Sequence, residues 1–498
     1  MKILFVQVAA GFQMRGTTHP VCRSIMTTAS YMKSIGNEVL VHDRCIDFRK
    51  FEKVFNSFKP DLVMVYVPPT GSFKDAMAVS SFVSEKNVTV VWAEVVACVL
   101  AEYIIENDLA DFVIMGETEI KLEMLIKELS GGENYESIPG LVYKRSGEVV
   151  SNKNQNNTPL DKIPAIDWEM IDVEKCFRKF PHCKKMLYLY TSRGCPNRCA
   201  FCWTTMFYNS EYRKRPLHFV LNEIKHLEQN HGLDGVNFSD EFLWLNDKEI
   251  EEIAEFRRNN GLKFVWGAQT RADAYNSIEV LQKMYDAGCR WFLLGIETGS
   301  EETRKRINKP MDKTLIKEFV DKCTQVGITT FGSFIIGFPG ENSEQVKETA
   351  EFAQSLNLDA FLFNFYTLVP KTPLCDKLVS DGLIDISKLA EGTKTGQETQ
   401  SLTKNYSEIS DKDLRVIKSW FDWLTFTRKK PESTQKSMFI EKSLDTLKHF
   451  MQGDLKESVA NVFDAGVAFL TIVFYANCFP KIKKKYGLRN VNKKSKNK

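Results

Sequence analysis

Cys195, Cys199 and Cys202 stand within eight residues of one another, in the stretch RGCPNRCAFCW from Arg193 to Trp203. Thiolates are soft ligands that suit iron–sulfur clusters, zinc and copper(I). A structural zinc site takes four ligands; here the fourth would have to come from elsewhere, with His218 as a candidate. A cubane 4Fe–4S cluster normally takes four cysteines. Three leave one iron with an open coordination position, and a catalytic metal needs an open position. Gly194, Pro196 and Asn197 are turn formers that let the loop wrap a cluster. A metal-binding or electron-transfer module without catalysis, built on the same three thiols, is the competing reading.

The elements around this loop say where it sits. From MLYLYTS onward, apolar strands alternate with amphipathic helices. The strands are YLYTS, GVNFSD, FVWGAQT, WFLLGIE, TTFGSFIIG and FLFNFYTL. Helices are predicted near Leu217–Gln229, Asp247–Asn259, Ser277–Ala287, Thr314–Val326 and Ser343–Ser355. Six such units predict a partial (β/α)6 barrel with its chemistry on the loops after the strands. The cysteine loop follows the first of them. An earlier series, from ILFVQVA through EVLVHD, DLVMVYV and VTVVWAEV to FVIMGE, reads as a doubly wound parallel sheet. Such sheets bind ligands at the carboxyl ends of their strands, where AAGFQMRGTTHP and PPTGSF lie. The division expected is 1–130 for the sheet domain, 131–185 for a linker with a hairpin, 186–380 for the barrel, 381–480 for a helical region and 481–498 for a basic disordered tail.

CPNRCAFC, with Phe201 just before the last cysteine, resembles the radical SAM superfamily. The resemblance implies a 4Fe–4S cluster whose open iron holds S-adenosylmethionine (SAM), cleaved by an electron to a 5′-deoxyadenosyl radical. It also assigns residues. Asp240 and Glu241, in NFSDEF, match the acidic motif that receives the methionine amino group. Arg271, in QTRADA, matches the cation facing the carboxylate, and Glu297, in LLGIETGSEE, a polar residue near the ribose. GSFIIGFPGE matches the segment whose backbone lines the adenine.

The order of sheet domain, MGETEIKLEMLIKEL, hairpin GLVYKRSGEVV and cysteine loop resembles the cobalamin-binding branch of that superfamily, over roughly the first 380 residues. That implies methyl transfer to an unactivated carbon through cobalamin. Without cobalamin the same radical would serve cyclisation, coupling or rearrangement. Three features depart from the branch. No D-x-H-x-x-G follows the first strand. VVWAEVVACVL stands where paired glycines and a histidine are usual, so the side chains of Trp92, Ala93 and Glu94 stand where close approach of a corrin calls for glycine. Lys371, in VPKTP, also replaces a usual glycine. Cys176, Cys183, Cys289 and the remaining cysteines read as ordinary packed thiols, and His19 as a loop histidine.

A net charge of +3 gives the whole molecule no nucleic-acid signature. The scattered cysteines and the absence of a signal-peptide pattern point to a reducing, cytoplasmic setting. Val459–Phe479 reads as a buried or membrane-surface helix, because Asp464 interrupts it and Pro480 ends it. With the basic tail it raises peripheral membrane contact and a lipid substrate beside a small-molecule one. A low-potential ferredoxin or flavodoxin is the electron donor implied by the resemblance.

Overall fold

Strands β1 (Lys2–Gln7), β3 (Leu62–Tyr66), β4 (Thr89–Ala93) and β5 (Phe112–Ile114) are mostly apolar, as strands covered on both faces must be, whereas the edge strand β2 (Glu38–Asp43) carries Glu38, His42 and Asp43. They pair in parallel, in the order β2-β1-β3-β4-β5. Helices α1 (Arg23–Ser34), α2 (Phe51–Phe58), α3 (Phe73–Ser84), α4 (Val95–Val99), α5 (Ala101–Glu106) and α6 (Glu119–Leu129) cover the two faces. One face packs α1 and α6 through Ile25, Met32 and Leu122; the other packs α2, α3 and α5 through Val54, Phe73 and Ile104. These are features of a computed structural model, which describes residues 1–9, 23–68, 72–154, 158–275, 277–385, 404–427 and 480–488.

The hairpin β6 (Leu141–Arg145) and β7 (Glu148–Ser151) was expected in a linker. It instead extends this sheet, β6 pairing antiparallel with β5. Leu141 and Val142 are fully buried, one in each of the two cores that flank the sheet, so β6 continues the sheet between its helix layers.

The second sheet begins with β8 (Arg178–Phe180), an antiparallel edge to β9 (Cys183–Leu189). A short ribbon, β10 (Ser192–Arg193) with β11 (Arg213–Lys214), brackets the cysteine loop. Then β12 (Gly235–Phe238), β13 (Val265–Thr270), β14 (Cys289–Glu297), β15 (Thr329–Ile336) and β16 (Ala360–Phe365) follow in parallel, in sequential order from β9. The six parallel strands are those the alternation predicts, and their sequential order is that of a partial barrel. The helices are α7 (Thr204–Phe207), α8 (Leu217–His231), α9 (Asp247–Asn259), α10 (Ile278–Asp286), α11 (Glu301–Arg306), α12 (Lys313–Val326), α13 (Ser343–Ser355) and α14 (Pro373–Ser380). Capping boxes start α9 and α13, with Asn246 and Glu249 on one and Asn342 and Gln345 on the other.

The edge strand β16 is covered by the helix Asp411–Thr427. Phe421 stacks on Phe363 with centroids 3.9 Å apart, and Thr425 Oγ1 accepts the Phe361 amide at 2.9 Å. The beginning of the basic segment, expected to be a disordered tail, is folded onto this helix. Pro480–Lys485 is helical, Tyr486 is fully buried and donates to Asp413 Oδ2 at 2.9 Å, and Lys483 lies 3.9 Å from the Trp420 ring. The apolar residues Ile482, Tyr486 and Leu488 among the lysines supply the face that packs. Among the described residues no helix is long and apolar enough to cross a membrane. Val459–Phe479, read as a membrane-surface helix, lies outside the described residues, as do His19 and most of AAGFQMRGTTHP.

Candidate active site

The cysteine loop leaves β10 at the carboxyl end of the first barrel strand. Gly194 turns it there with φ of +81°, and a Cβ at that position would stand 1.8 Å from the Glu211 carbonyl oxygen. The loop is pinned on both sides: the Ala200 amide donates to Ile307 O at 2.8 Å, the Leu374 amide to Ala200 O at 2.9 Å, and Asn308 Nδ2 to Arg198 O at 2.7 Å. Phe201 packs edge-on against Phe338 of the GFPG turn, with centroids 5.6 Å apart. The loop and the segment after β15 are thus brought together.

Cys199 is buried, Cys195 and Cys202 half-buried, and all three are free thiols. Burial pushes the Cys199 thiol up to about 11 and raises Cys202 as well. Cations oppose that rise: Lys309 at both thiols and Arg271 at Cys199. A coordinated metal deprotonates such thiols outright, so three partly shielded thiols beside two cations form a donor set for a cluster. Neighbouring polar groups steer individual sulfurs: Asn197 Nδ2 lies 3.3 Å from Cys195 Sγ, and Thr204 Oγ1 lies 3.1 Å from Cys202 Sγ.

The residues matched by resemblance fall into two groups. Asp240 is buried at the end of β12, where its Oδ1 accepts Thr191 N at 2.9 Å, Thr191 Oγ1 at 3.1 Å and the Ser192 amide. Its Oδ2 is buried with no hydrogen-bond partner among the described residues. Glu241 accepts the Gly194 amide at 3.1 Å and lies 3.9 Å from Arg23 of α1. Burial raises both carboxyls, with Arg23 pulling each back. On the other side of the loop, Arg271 is held in a fork by Asp273, at 2.8 and 2.6 Å. Glu297, at φ +62°, accepts Lys309 Nζ at 2.5 Å, and both side chains are about a tenth exposed. Lys309 follows α11 and was not singled out from sequence. His218, the candidate zinc ligand, is exposed on α8 beside Phe219.

A charged network joins the first domain to the loop, and sequence reading missed it. Arg193, buried immediately before the loop, donates to Glu117 at 2.9 Å and Glu119 at 2.7 Å. Arg213 also reaches Glu117, at 2.9 Å. Apolar contact continues this junction, with Val95 and Cys98 of α4 clustered with Phe207 and Tyr208 behind the loop. Lys371, at φ +62°, donates to Glu102 at 2.8 Å and to Cys98 O at 3.1 Å, a tie that glycine could not make.

The VVWAEV segment differs from expectation. Trp92 does not obstruct the carboxyl edge: it points into the α3 face, where its Nε1 donates to Ser80 Oγ at 2.7 Å and its ring meets Phe73. Strand parity puts Trp92 on that face and Ala93 on the other. Glu94 does stand at the edge. It adopts φ 82° and ψ 177°, a conformation essentially confined to glycine. Burial raises its carboxyl, against a hydrogen bond from Ser24 and the charge of Arg23.

Residues 189–353 match the Radical SAM superfamily. Over 346 residues the chain is 29% identical to an uncharacterized methyltransferase of Pyrococcus horikoshii, covering 68% of this chain and 74% of that one. It is 24% identical over 394 residues to the anaerobic magnesium-protoporphyrin IX monomethyl ester cyclase of Rubrivivax gelatinosus, covering 76% and 70%. Its fold is similar to that of OxsB, a cobalamin-dependent S-adenosylmethionine radical enzyme, solved with aqua-cobalamin bound. The TM-score is 0.69 at 16% identity, over 97% of this chain and 80% of that one.

Proposed function

We propose that this chain, an enzyme whose residues 189–353 carry a radical SAM domain, methylates an unactivated carbon with the help of cobalamin. The single observation that carries the radical chemistry is the loop of three thiols at the mouth of the first barrel strand, flanked by Lys309 and Arg271. A 4Fe–4S cluster on Cys195, Cys199 and Cys202 supplies the electron that cleaves SAM. The chain's own part is positioning. Asp240 Oδ2, a buried acceptor without a partner, suits the methionine ammonium. Glu241 holds the Gly194 turn as well as offering a carboxylate. Lys309 and Arg271 offer cations to the methionine carboxylate, although each must share its charge with Glu297 or Asp273. Glu297 is assigned to the ribose by resemblance, and the Phe201–Phe338 contact supports an adenine site beside the loop.

Cobalamin, when bound, carries the methyl group; its place is the carboxyl edge of the first sheet. Trp92 facing away and a glycine-type backbone at residue 94 support that placement, and the Glu94 side chain opposes it. The name of the Pyrococcus relative supports methyl transfer, and the likeness to OxsB, solved with aqua-cobalamin bound, supports a cobalamin site. Ultraviolet–visible spectra of anaerobically reconstituted protein, incubated with hydroxocobalamin and gel-filtered, test this reading. A retained corrin spectrum over the cluster absorbance supports it. Cluster absorbance without corrin sinks it in favour of the second reading, cyclisation, coupling or rearrangement without cobalamin; Glu94 favours the absence of the corrin, and the name of the cyclase relative favours cyclisation.

An external ferredoxin or flavodoxin is the proposed donor of the electron, and a small molecule or a lipid the proposed substrate. A lipid substrate predicts flotation with anionic liposomes at low salt; a chain that stays at the bottom of the gradient has no such contact.

A further inference from the structure

On the side of the barrel helices, where the linker between the two sheets passes the end of α8, three metal-ligating side chains converge. Glu169 comes from the single turn Trp168–Met170, His226 and His231 from the last turns of α8. Their ligand atoms all lie within 4.8 Å of one another. The placement is held from several directions. Asp167 caps the turn by accepting the Glu169 amide at 3.1 Å, and Trp168 Nε1 donates to Glu223 of α8 at 3.0 Å. Lys185 holds the His231 carbonyl at 3.0 Å and is itself neutralised by Glu174 at 2.9 Å.

One detail is that of a metal site rather than of an ordinary ion pair. His231 Nε2 is buried and has no hydrogen-bond partner among the described residues, yet Glu169 Oε1 stands 3.6 Å away. That is too long for a hydrogen bond. Two donors at about 2.0–2.1 Å from a tetrahedral ion stand about 3.3 Å apart, close to what is seen. His226 has its Nδ1 engaged by the Asn230 side-chain amide at 2.8 Å. As placed, the amide nitrogen faces Nδ1; a half-turn of the Asn230 amide puts its oxygen there instead, so that Nδ1 donates to it and Nε2 is free to ligate. Metal-ligating histidines are normally oriented by such an outer partner. Glu169 and His226 are exposed, so an ion can enter from solvent and keep water in a fourth position.

We propose that Glu169, His226 and His231 bind one divalent transition-metal ion of the zinc type, which ties the linker to α8. This site is separate from the cysteine loop, and its ligand set is of nitrogen and oxygen rather than sulfur. The probe is Co2+ added to cluster-reconstituted protein, whose cysteines are occupied by iron. One equivalent is expected, with a visible ligand-field band that Zn2+ abolishes. The double variant His226→Gln/His231→Gln is expected to lose the band while its iron content stays unchanged. Asn230→Ala is expected to weaken Co2+ binding about tenfold. Failure of the wild type to bind near-stoichiometric Co2+, or a band that persists in the double variant, overturns the proposal.

Discussion

Arg193→Met removes the cation at the centre of the junction between the two sheets. The side chain is 9% exposed and donates to Glu117, Glu119 and the Tyr190 hydroxyl. Glu117 keeps Arg213 at 2.9 Å, so the group left without its cation is Glu119, 1% exposed. Breaking a buried pair by removing one partner costs about 3–5 kcal/mol, and the surviving Arg213 places this case near the lower end. At about 2 °C per kcal/mol for a unit of this size, the apparent melting midpoint should fall by about 6 °C. The sign of the pH dependence follows from Glu119. Burial alone would raise its carboxyl, but the charge and hydrogen bonds of Arg193 outweigh burial and hold it below the ordinary value of 4.5. The wild-type contribution is therefore present above that value and lost as pH falls through the lower folded one. Without Arg193, burial wins, and the carboxylate becomes a cost that grows as pH rises. Differential scanning fluorimetry at pH 8 and pH 5 should show the larger deficit at pH 8. Arg193→Met/Glu119→Gln should recover at least half of it. A deficit under about 2 °C at pH 8, or one equal at both pH values, would refute the reasoning.

Cys199→Ser should leave the fold intact and lower bound iron, with SAM cleavage at background; full iron content would remove Cys199 from the ligand set. Gly194→Ala meets the Glu211 carbonyl at 1.8 Å at positive φ, and should cost at least about 2 kcal/mol, measured as a lowered midpoint with poor cluster loading. Glu94→Gly should relieve about 1–3 kcal/mol of backbone strain, raising the midpoint and increasing hydroxocobalamin retention; a lower midpoint contradicts the strain reading. Burial pushes the Glu341 carboxyl up to about 7, although the Gly337 and Phe338 amides pull it down. Its contribution is present below the ordinary value of 4.5 and lost as pH rises through about 7, so wild-type stability should fall over that window. Glu341→Gln should flatten that part of the profile, and an unchanged slope would contradict the assignment.

The parallel strands and the cysteine loop were legible because they rest on local pattern. Short apolar runs such as LVMVY, bounded by turn residues, read as buried strands, and α9 and α13 begin at capping asparagines visible in the sequence. What escaped depends on distance in space. Lys309 follows Glu297 by a helix and a turn, and only the fold returns its ammonium to that carboxylate and to the thiols. Arg193 meets Glu117 and Glu119 across more than seventy residues. Trp92 was misread because facing direction turns on a single residue of strand parity. The basic segment looked like a solvated tail because lysines dominate it, yet Tyr486 and Leu488 supply enough apolar contact to fold its beginning.

Anaerobic incubation of reconstituted enzyme with SAM and dithionite, with 5′-deoxyadenosine measured by mass spectrometry, tests the central claim most directly. Reductive cleavage of SAM by the wild type, absent in Cys199→Ser, is the predicted result. An intact, reduced cluster that yields no 5′-deoxyadenosine would contradict the account and return Cys195, Cys199 and Cys202 to a metal-binding or electron-transfer role.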